Sequence, residues 1–564
     1  MSSTEAPDTV PALAQAWLDV VLESDPLDAT LMGYRTHDAH LPDLSREAQE
    51  RTRHAFAAIR TRVDEIDTHG LSEADIVTRG VLLALDDAHA DSSAADVIAF
   101  TVAAFPISPA SVLVTYLRMI TITSESEAEA YLHRLSEIPR YLAQASTRLS
   151  EGRQAGLSAV RRLVSMAIAQ IDDALAAEPS VFAVEPIGSL GDTDDWRSRR
   201  DAIIRHEVEP AFAQYRAMLE TEALPSSRGD DQPGLVHLPD GLDRYTRLCR
   251  VHTTTALSPE HLHRVGRTLL AQVHEEFQQV GRSVLGTTDV ADIFQRLQED
   301  PALRWTSSEA IIKAAEDAVR RAEGVAPHWF ARVPQAVCVL ATIPEWEAAG
   351  APPAYYMPPA IDGSRPGTYF TNVSTPTART SFDLEAVAFH EAVPGHHFQI
   401  SLAQENAELP ELRRLPMFTA YVEGWGLYAE RLADEMGLYS SDMQRLGMLS
   451  ADAWRASRLV VDTGIHAFGW SRDEAVAFMR ENTPVAPVDV ESEIDRYIAY
   501  PGQALSYMTG RLEIIRMRDL ARAALGAAFD IRDFHEQVLG HGALPLAVLD
   551  QVISTWCAGA TLES

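Results

Sequence analysis

The sequence predicts a mostly helical protein with a small β-sheet. Alanine-rich segments with apolar residues at three- and four-residue spacing recur along the 564 residues, a pattern typical of amphipathic helices. Segments rich in strand-forming residues are few. Hydrophobic residues make up 46% of the chain and charged residues 23%, which is ordinary for a globular protein and excludes collagen-like, coiled-coil and largely disordered classes.

Several helix boundaries can be read directly. Residues 306–309 (TSSE) and 471–474 (SRDE) have the spacing of a capping box, and Ser258 precedes a proline suited to the first helical position. Gly324 stands where a glycine would end its helix. We therefore expect helices to begin after residues 258, 306 and 471.

Two segments predict strands, Ala336–Ala341 and Gly367–Asn372. They flank a proline-rich stretch, Pro352–Pro366, that cannot be helical. A small sheet is expected there. Between residues 224 and 234 the chain is polar and rich in turn formers, which predicts an N-terminal helical region, 1–225, and a second helical region, 235–564, that together form one composite body.

Charge and cysteine content limit the partners and the location. Lys plus Arg total 48 and Asp plus Glu total 81, a net charge of −33, which disfavours nucleic acid and anionic membrane surfaces. The three cysteines, Cys249, Cys338 and Cys557, form no CxxC pair, so neither a disulfide framework nor a thiolate zinc site is expected. The N-terminus has no basic segment ahead of an apolar one. The sequence-based prediction is a cytoplasmic protein.

The chemistry is expected around His390 and Glu391. In the HExxH motif two histidines one helical turn apart bind one metal ion, and the glutamate polarises the metal-bound water. Here the fourth position after His390 is Pro394. On a regular helix His396 would lie about 9 Å along the axis and about 240° around it, but a Pro-Gly interruption can remove two residues from the helical count. His396 is then the second ligand, with His397 as the alternative.

A third ligand is expected from Glu423, in the segment FTAYVEGWGLYAE at residues 418–430. Glycines on both sides of Trp425 indicate close packing against a neighbouring segment or a ligand. Two histidines and a glutamate with one open position form a catalytic zinc set. We predict one zinc ion per chain through His390, His396 and Glu423, although another divalent transition metal would suit these ligands, and each fragment alone is also compatible with a packed core.

Three motifs carry a resemblance: HEAVPGHH, of the form HExxxGHH, then YVEGWGLYAE, and YPGQALSYMTGRLEI. They resemble the bacterial DUF885 family, which is similar to the zinc peptidases of the angiotensin-converting-enzyme, thimet-oligopeptidase and Taq-carboxypeptidase group. The resemblance implies a two-lobed helical body with a deep central cleft and zinc at its floor. It also implies a metallopeptidase-like hydrolase.

Further candidates follow from that activity. Glu391 is the expected general base. Tyr500, or else Tyr507, is expected to donate a hydrogen bond to the developing oxyanion, unless these tyrosines only pack.

Substrate binding has three candidate residues and one candidate strand. Gln503 and Arg511 share a helix face with Tyr507 and could hold a substrate carboxylate, although an ion-paired arginine is the simpler explanation. His466 is a further candidate donor to substrate or a structural histidine. The strand Gly367–Asn372 offers backbone pairing to an extended peptide or forms a purely structural sheet.

The predicted function is hydrolysis of short peptides or peptide-like amides through a metal-activated water. Two alternatives remain open at this point: a zinc amidase or esterase acting on a non-peptide small molecule, and a non-catalytic binding protein on a peptidase fold. The sequence leaves the physiological substrate, the residue preference, exo- or endo-action and the oligomeric state undetermined.

Overall fold

The computed structural model of the chain describes residues 9–187, 193–348, 352–363 and 365–563. Most of them are helical, which confirms the predicted character. The α-helices are α1 (Val10–Ser24), α2 (Pro26–Met32), α3 (Arg46–Glu65), α4 (Glu73–Ala95), α5 (Pro109–Tyr116), α6 (Glu125–Ser136), α7 (Ile138–Gln154), α8 (Arg161–Ala176), α9 (Asp194–Ile203), α10 (Glu209–Met218), α11 (Gly241–Thr253), α12 (Pro259–Val284), α13 (Val290–Glu299), α14 (Ser308–Val325), α15 (Glu345–Ala348), α16 (Leu384–Glu391), α17 (His396–Glu405), α18 (Thr419–Glu435), α19 (Asp442–His466), α20 (Arg472–Asn482), α21 (Pro487–Ala499), α22 (Ser506–Leu525), α23 (Ile531–Leu539) and α24 (Leu546–Glu563). Among these helices, none combines the length and the apolar character that crossing a membrane requires.

The predicted helix boundaries are confirmed in two places and shifted in two. Ser471 caps α20 in a complete capping box, and Ser258 caps α12 ahead of its first-turn proline. In α14 the capping side chain is Ser307 rather than Thr306, and Gly324 lies inside the last turn instead of following it. The backbone of α14 continues in helical conformation to Val325, so the glycine does not end the helix.

Three strands form the expected small sheet: β1 (Val339–Thr342), β2 (Ala354–Met357) and β3 (Thr368–Thr371). The order is β1-β3-β2, with β3 parallel to β1 and antiparallel to β2. Strand β2 lies inside the proline-rich stretch and was not predicted. Because β3 is the central strand, both of its backbone edges are paired, and the expectation that it could pair with a substrate is wrong.

The hydrophobic core joins distant parts of the chain. Leu13 and Trp17 of α1 are buried in the same cluster as Phe389 of α16 and Trp425 of α18. A second cluster is built from residues between Leu27 and Ala223. The N-terminal helix thus packs with the elements that carry the candidate site, and the division into regions 1–225 and 235–564 stays a prediction.

Helix α18 is central to the second region. It packs against α16, α17, α19 and α22. The helices α16 and α17, which carry the HExxxGHH motif, therefore lie directly beside the helix that carries Glu423.

Candidate metal centre

The helix carrying the motif is interrupted where the Pro-Gly pair predicts it. Helix α16 ends at Glu391, and α17 begins at His396. A Cβ on Gly395 would lie 1.8 Å from the backbone oxygen of His390, so the chain can turn back this closely only with glycine at that position. The indole Nε1 of Trp425 donates a hydrogen bond to the Pro394 carbonyl at 2.8 Å and holds the break in place.

The interruption brings three predicted ligands together. The Nε2 atoms of His390 and His396 each lie 3.4 Å from Oε2 of Glu423. The ligand atoms of all three residues fall within 4.8 Å of one another. The two imidazole rings meet edge to face, with centroids 4.6 Å apart. A single ion can reach all three side chains.

The glycine after Trp425 makes room for the first ligand. A Cβ on Gly426 would lie 2.7 Å from the His390 ring. Gly424, the residue before Trp425, lies against Gly510 of α22. The close packing predicted from these two glycines is present: Gly426 lies against the predicted ligand His390, and Gly424 lies against a neighbouring helix.

Glu430 orients His390 and was missed in the sequence. Its Oε1 lies 2.8 Å from Nδ1 of His390, and its side chain is 1% exposed. A carboxylate bonded to the far nitrogen of a metal-binding imidazole fixes the ring and makes the ligand more basic. The available signal was spacing, because Glu430 follows Glu423 by two helical turns on one face of α18.

The electrostatics of the cluster favour a positive charge. Burial opposes protonation of His390, but the hydrogen bonds to Glu423 and Glu430 outweigh it and raise the pKa of His390 to about 9. Burial acts to raise the pKa of Glu423, yet the two histidines hold it well below its usual range. For Glu391, which is partly exposed, burial raises the pKa against the opposing charges of His390 and His396.

These residues fit a divalent transition metal. Two imidazoles and one carboxylate are the donor set of catalytic zinc, with a position left for water. The Nδ1 atom of His396 is buried and has no hydrogen-bond partner among the described residues, so this ring makes no other polar contact that would explain its orientation. The carboxylates of Glu423 and Glu430 supply the negative charge that an ion requires.

His397, the alternative ligand, is used elsewhere. Its Nδ1 lies 2.9 Å from the hydroxyl of Tyr356, and its Nε2 lies 3.0 Å from the carbonyl of Ala336. Both ring nitrogens therefore connect α17 to the sheet region. The register through the break places His396, not His397, in the cluster.

The two candidate tyrosines lie in different surroundings. Tyr507 is stacked beside His390, with ring centroids 6.4 Å apart, and the guanidinium of Arg458 lies 4.5 Å from its ring centre. Tyr500 packs edge to face against His252 at 5.0 Å and is 36% exposed. The contact with a predicted ligand thus belongs to Tyr507, the second choice from the sequence.

The three substrate-binding candidates already have partners. Arg511 is buried in an ion pair with Asp452, and Gln503 accepts a hydrogen bond from Arg496 at 2.9 Å. His466 is fully buried, accepts a hydrogen bond from the Leu235 amide through Nδ1, and has Nε2 at 3.0 Å from a backbone carbonyl. Burial lowers the pKa of His466 to about 3. In this conformation these side chains bond to other protein groups and do not form the expected binding site for a substrate carboxylate.

The fold and the cluster together define a helical protein with a buried His-His-Glu group suited to a divalent cation. The chain belongs to the DUF885 family, described as "Bacterial protein of unknown function", which it matches over residues 26–553. No curated protein matches it.

Two solved structures share the fold. One, from Colwellia psychrerythraea, is 27% identical, superposes with a TM-score of 0.89 and covers 98% of this chain and 100% of its own. Another, from Shewanella oneidensis, is 16% identical, has a TM-score of 0.72 and covers 97% of this chain and 100% of its own. Both proteins are described as a "putative lipoprotein". This finding contradicts the cytoplasmic location predicted from the sequence, which rested on the composition of the N-terminus and on cysteine usage.

Proposed function

We propose that the chain is a metal-dependent hydrolase that cleaves short peptides or peptide-like amides. The observation that carries the proposal is the convergence of His390, His396 and Glu423 beside Glu391, with ligand atoms of the first three within 4.8 Å. Zinc is the expected ion, one per chain at this centre. When bound, such an ion polarises a carbonyl and lowers the pKa of water.

Each side chain has a specific role in this proposal. Glu391 follows a ligand directly and is partly exposed, so it can accept a proton from the attacking water and pass it to the leaving nitrogen. With an ion bound, Glu430 would accept the Nδ1–H of His390 and so leave the Nε2 lone pair free to bind the ion. Tyr507, whose ring lies beside His390 and against the guanidinium of Arg458, would donate its hydroxyl to the developing oxyanion.

Burial of the centre supports small or flexible substrates. His390 is 3% exposed and His396 8%, while the Glu423 side chain keeps 19% of its surface open. We propose a two-lobed body with a cleft that leads to the exposed part of Glu423, as in the zinc peptidases that the family resembles. A folded protein could not bring its backbone to ligands at this depth.

Substitution of Glu391 by Gln tests the proposal. The zinc-loaded wild type is assayed on a panel of short peptides, beside Glu391→Gln and the matched control Glu408→Gln, an exposed glutamate beyond α17. Because Gln keeps the shape but cannot take the proton, we expect unchanged zinc content and a rate lowered by about 10²–10⁴-fold. The control should keep the wild-type rate.

Two results would contradict the proposal. Near-normal turnover by Glu391→Gln on a cleaved peptide would remove Glu391 from the mechanism. A zinc-loaded wild type that cleaves no peptide of the panel above the rate of a protein-free blank would favour a binding protein instead.

A further inference from the structure

A second group of metal-binding side chains lies outside the centre described above. It consists of His40, in the loop between α2 and α3, His133, in the last turn of α6, and Glu137, at the junction of α6 and α7. Their ligand atoms lie within 4.8 Å of one another. The imidazole rings of His40 and His133 meet edge to face with centroids 5.4 Å apart.

A backbone carbonyl near the group prepares one of the ligand atoms, Nε2 of His133. Nδ1 of His133 lies 2.9 Å from the carbonyl oxygen of Ala39. A carbonyl can only accept, so Nδ1 carries the proton and Nε2 keeps a free lone pair. This is the same arrangement by which partners orient metal-binding histidines elsewhere.

Glu137 is held in a complementary way. Its Oε2 accepts hydrogen bonds from the Leu41 amide at 2.7 Å and from Arg140 at 3.0 Å. Its Oε1 instead lies 3.3 Å from Nδ1 of His40. One carboxylate oxygen is therefore fixed by the protein, and the other faces the histidines. His133 and Glu137 are four residues apart along continuous helical backbone, so they lie on one face.

The loop that carries His40 is anchored beneath the group. Arg134 donates to the backbone oxygen of His40 at 2.9 Å, and Arg140 donates to that of Leu41 at 3.0 Å. The His40 side chain nevertheless keeps 53% of its surface exposed and Glu137 keeps 19%. The loop backbone is thus positioned while the ligand atoms remain accessible to an ion from solution.

We propose that His40, His133 and Glu137 form a second metal site, which takes one divalent transition ion of the zinc class and ties the α2–α3 loop to the α6–α7 junction. Two imidazoles and one carboxylate select zinc, nickel or copper over magnesium and calcium, which prefer oxygen ligands. Since the ligands come from two segments far apart in sequence, an ion bound here stabilises the folded chain over the unfolded one.

The experiment counts zinc ions on the full chain in variants that separate the two sites. Equilibrium dialysis followed by metal analysis is expected to give two ions per chain for the wild type, one for His133→Ala, one for His390→Ala and none for the double variant. His69→Ala, an exposed histidine outside both groups, is the matched control and should keep two. Loss of the His133 imidazole should weaken zinc binding at the His40–His133–Glu137 group by more than about tenfold, because removing only a hydrogen-bond partner of a ligand already costs about 10–100-fold.

A second measurement tests the second site in a variant whose first centre, formed by His390, His396 and Glu423, has lost a ligand. In the His390→Ala background, zinc is expected to raise the melting temperature, magnesium is not, and either His40→Ala or His133→Ala should abolish the zinc effect. The proposal is overturned if His133→Ala in that background binds as much zinc as His390→Ala alone, or if magnesium stabilises as well as zinc does. If the centre of His390, His396 and Glu423 binds no metal, the wild type should bind one ion, at the second site. The loss of that ion in His133→Ala would still support the proposal.

Discussion

The contact between Glu430 and His390 allows a graded test of the metal centre. Glu430→Gln preserves the shape and can still accept the Nδ1–H of His390 across the 2.8 Å contact, so it removes charge alone. Glu430→Ala removes the hydrogen bond as well. We expect zinc affinity to fall in the order wild type, Gln, Ala, because the carboxylate both orients the imidazole and strengthens it as a ligand.

The magnitude follows from the kind of hydrogen bond that is lost. A hydrogen bond to a charged group contributes about 1.5–3 kcal/mol and one between neutral groups about 0.5–1.5 kcal/mol. The charge of Glu430 therefore contributes about 1–1.5 kcal/mol, so Glu430→Gln should lose about tenfold in zinc affinity. Glu430→Ala loses the whole hydrogen bond and should lose about 10–100-fold.

Affinity is best measured by chelator-buffered zinc titration above about pH 9, where His390 has lost its competing proton. At pH 7 a proton on His390 competes with zinc, and Glu430→Gln weakens that competition because it lowers the pKa of His390. The difference in zinc affinity between wild type and Glu430→Gln should therefore be smaller at pH 7. Glu435→Gln, on the same helix but paired with Arg518, is the matched control and should bind zinc as the wild type does. Equal affinity of Glu430→Ala and wild type above pH 9 would refute the role of Glu430.

Three further predictions follow from the same structure. Gly426→Ala should weaken zinc binding in the same titration because its Cβ would lie 2.7 Å from the His390 ring, whereas Gly324→Ala, with nothing within 4 Å, should leave binding unchanged and stabilise α14 by up to about 1 kcal/mol in urea unfolding. His397→Ala should retain the metal but lose about 1–3 kcal/mol of stability, because it removes the two hydrogen bonds of the ring to Tyr356 and Ala336, each worth about 0.5–1.5 kcal/mol. Loss of zinc instead would reverse the ligand assignment. Burial raises the pKa of Asp462 to about 7. The contribution of this carboxyl group to stability is therefore present below about pH 4 and is lost as pH rises through about 7. Asp462→Asn should flatten that part of the pH profile of the unfolding free energy, and an unchanged profile would contradict the buried titration.

Local signals in the sequence were sufficient for the helical character, for two helix starts and for part of the sheet. The capping box at Ser471 and the cap at Ser258 are decided within one helical turn, so they could be predicted. Strand β2 could not, because its pairing to β3 across a proline-rich loop depends on residues brought together only by folding. The shift of the α14 cap from Thr306 to Ser307 is a one-residue choice between two equivalent side chains.

The sequence by itself also predicted the three side chains that converge in the His390–His396–Glu423 cluster, with His397 as the alternative to His396. The Pro-Gly pair predicts a local break in the helix, and the break seen between Glu391 and His396 brings His396 to His390. Only the tertiary structure decided the surroundings. Tyr507 rather than Tyr500 lies beside His390, and Arg511 is committed to a buried ion pair. These outcomes depend on how α18, α19 and α22 pack, and spacing along one helix carries no information about the side chains that a neighbouring helix presents to it.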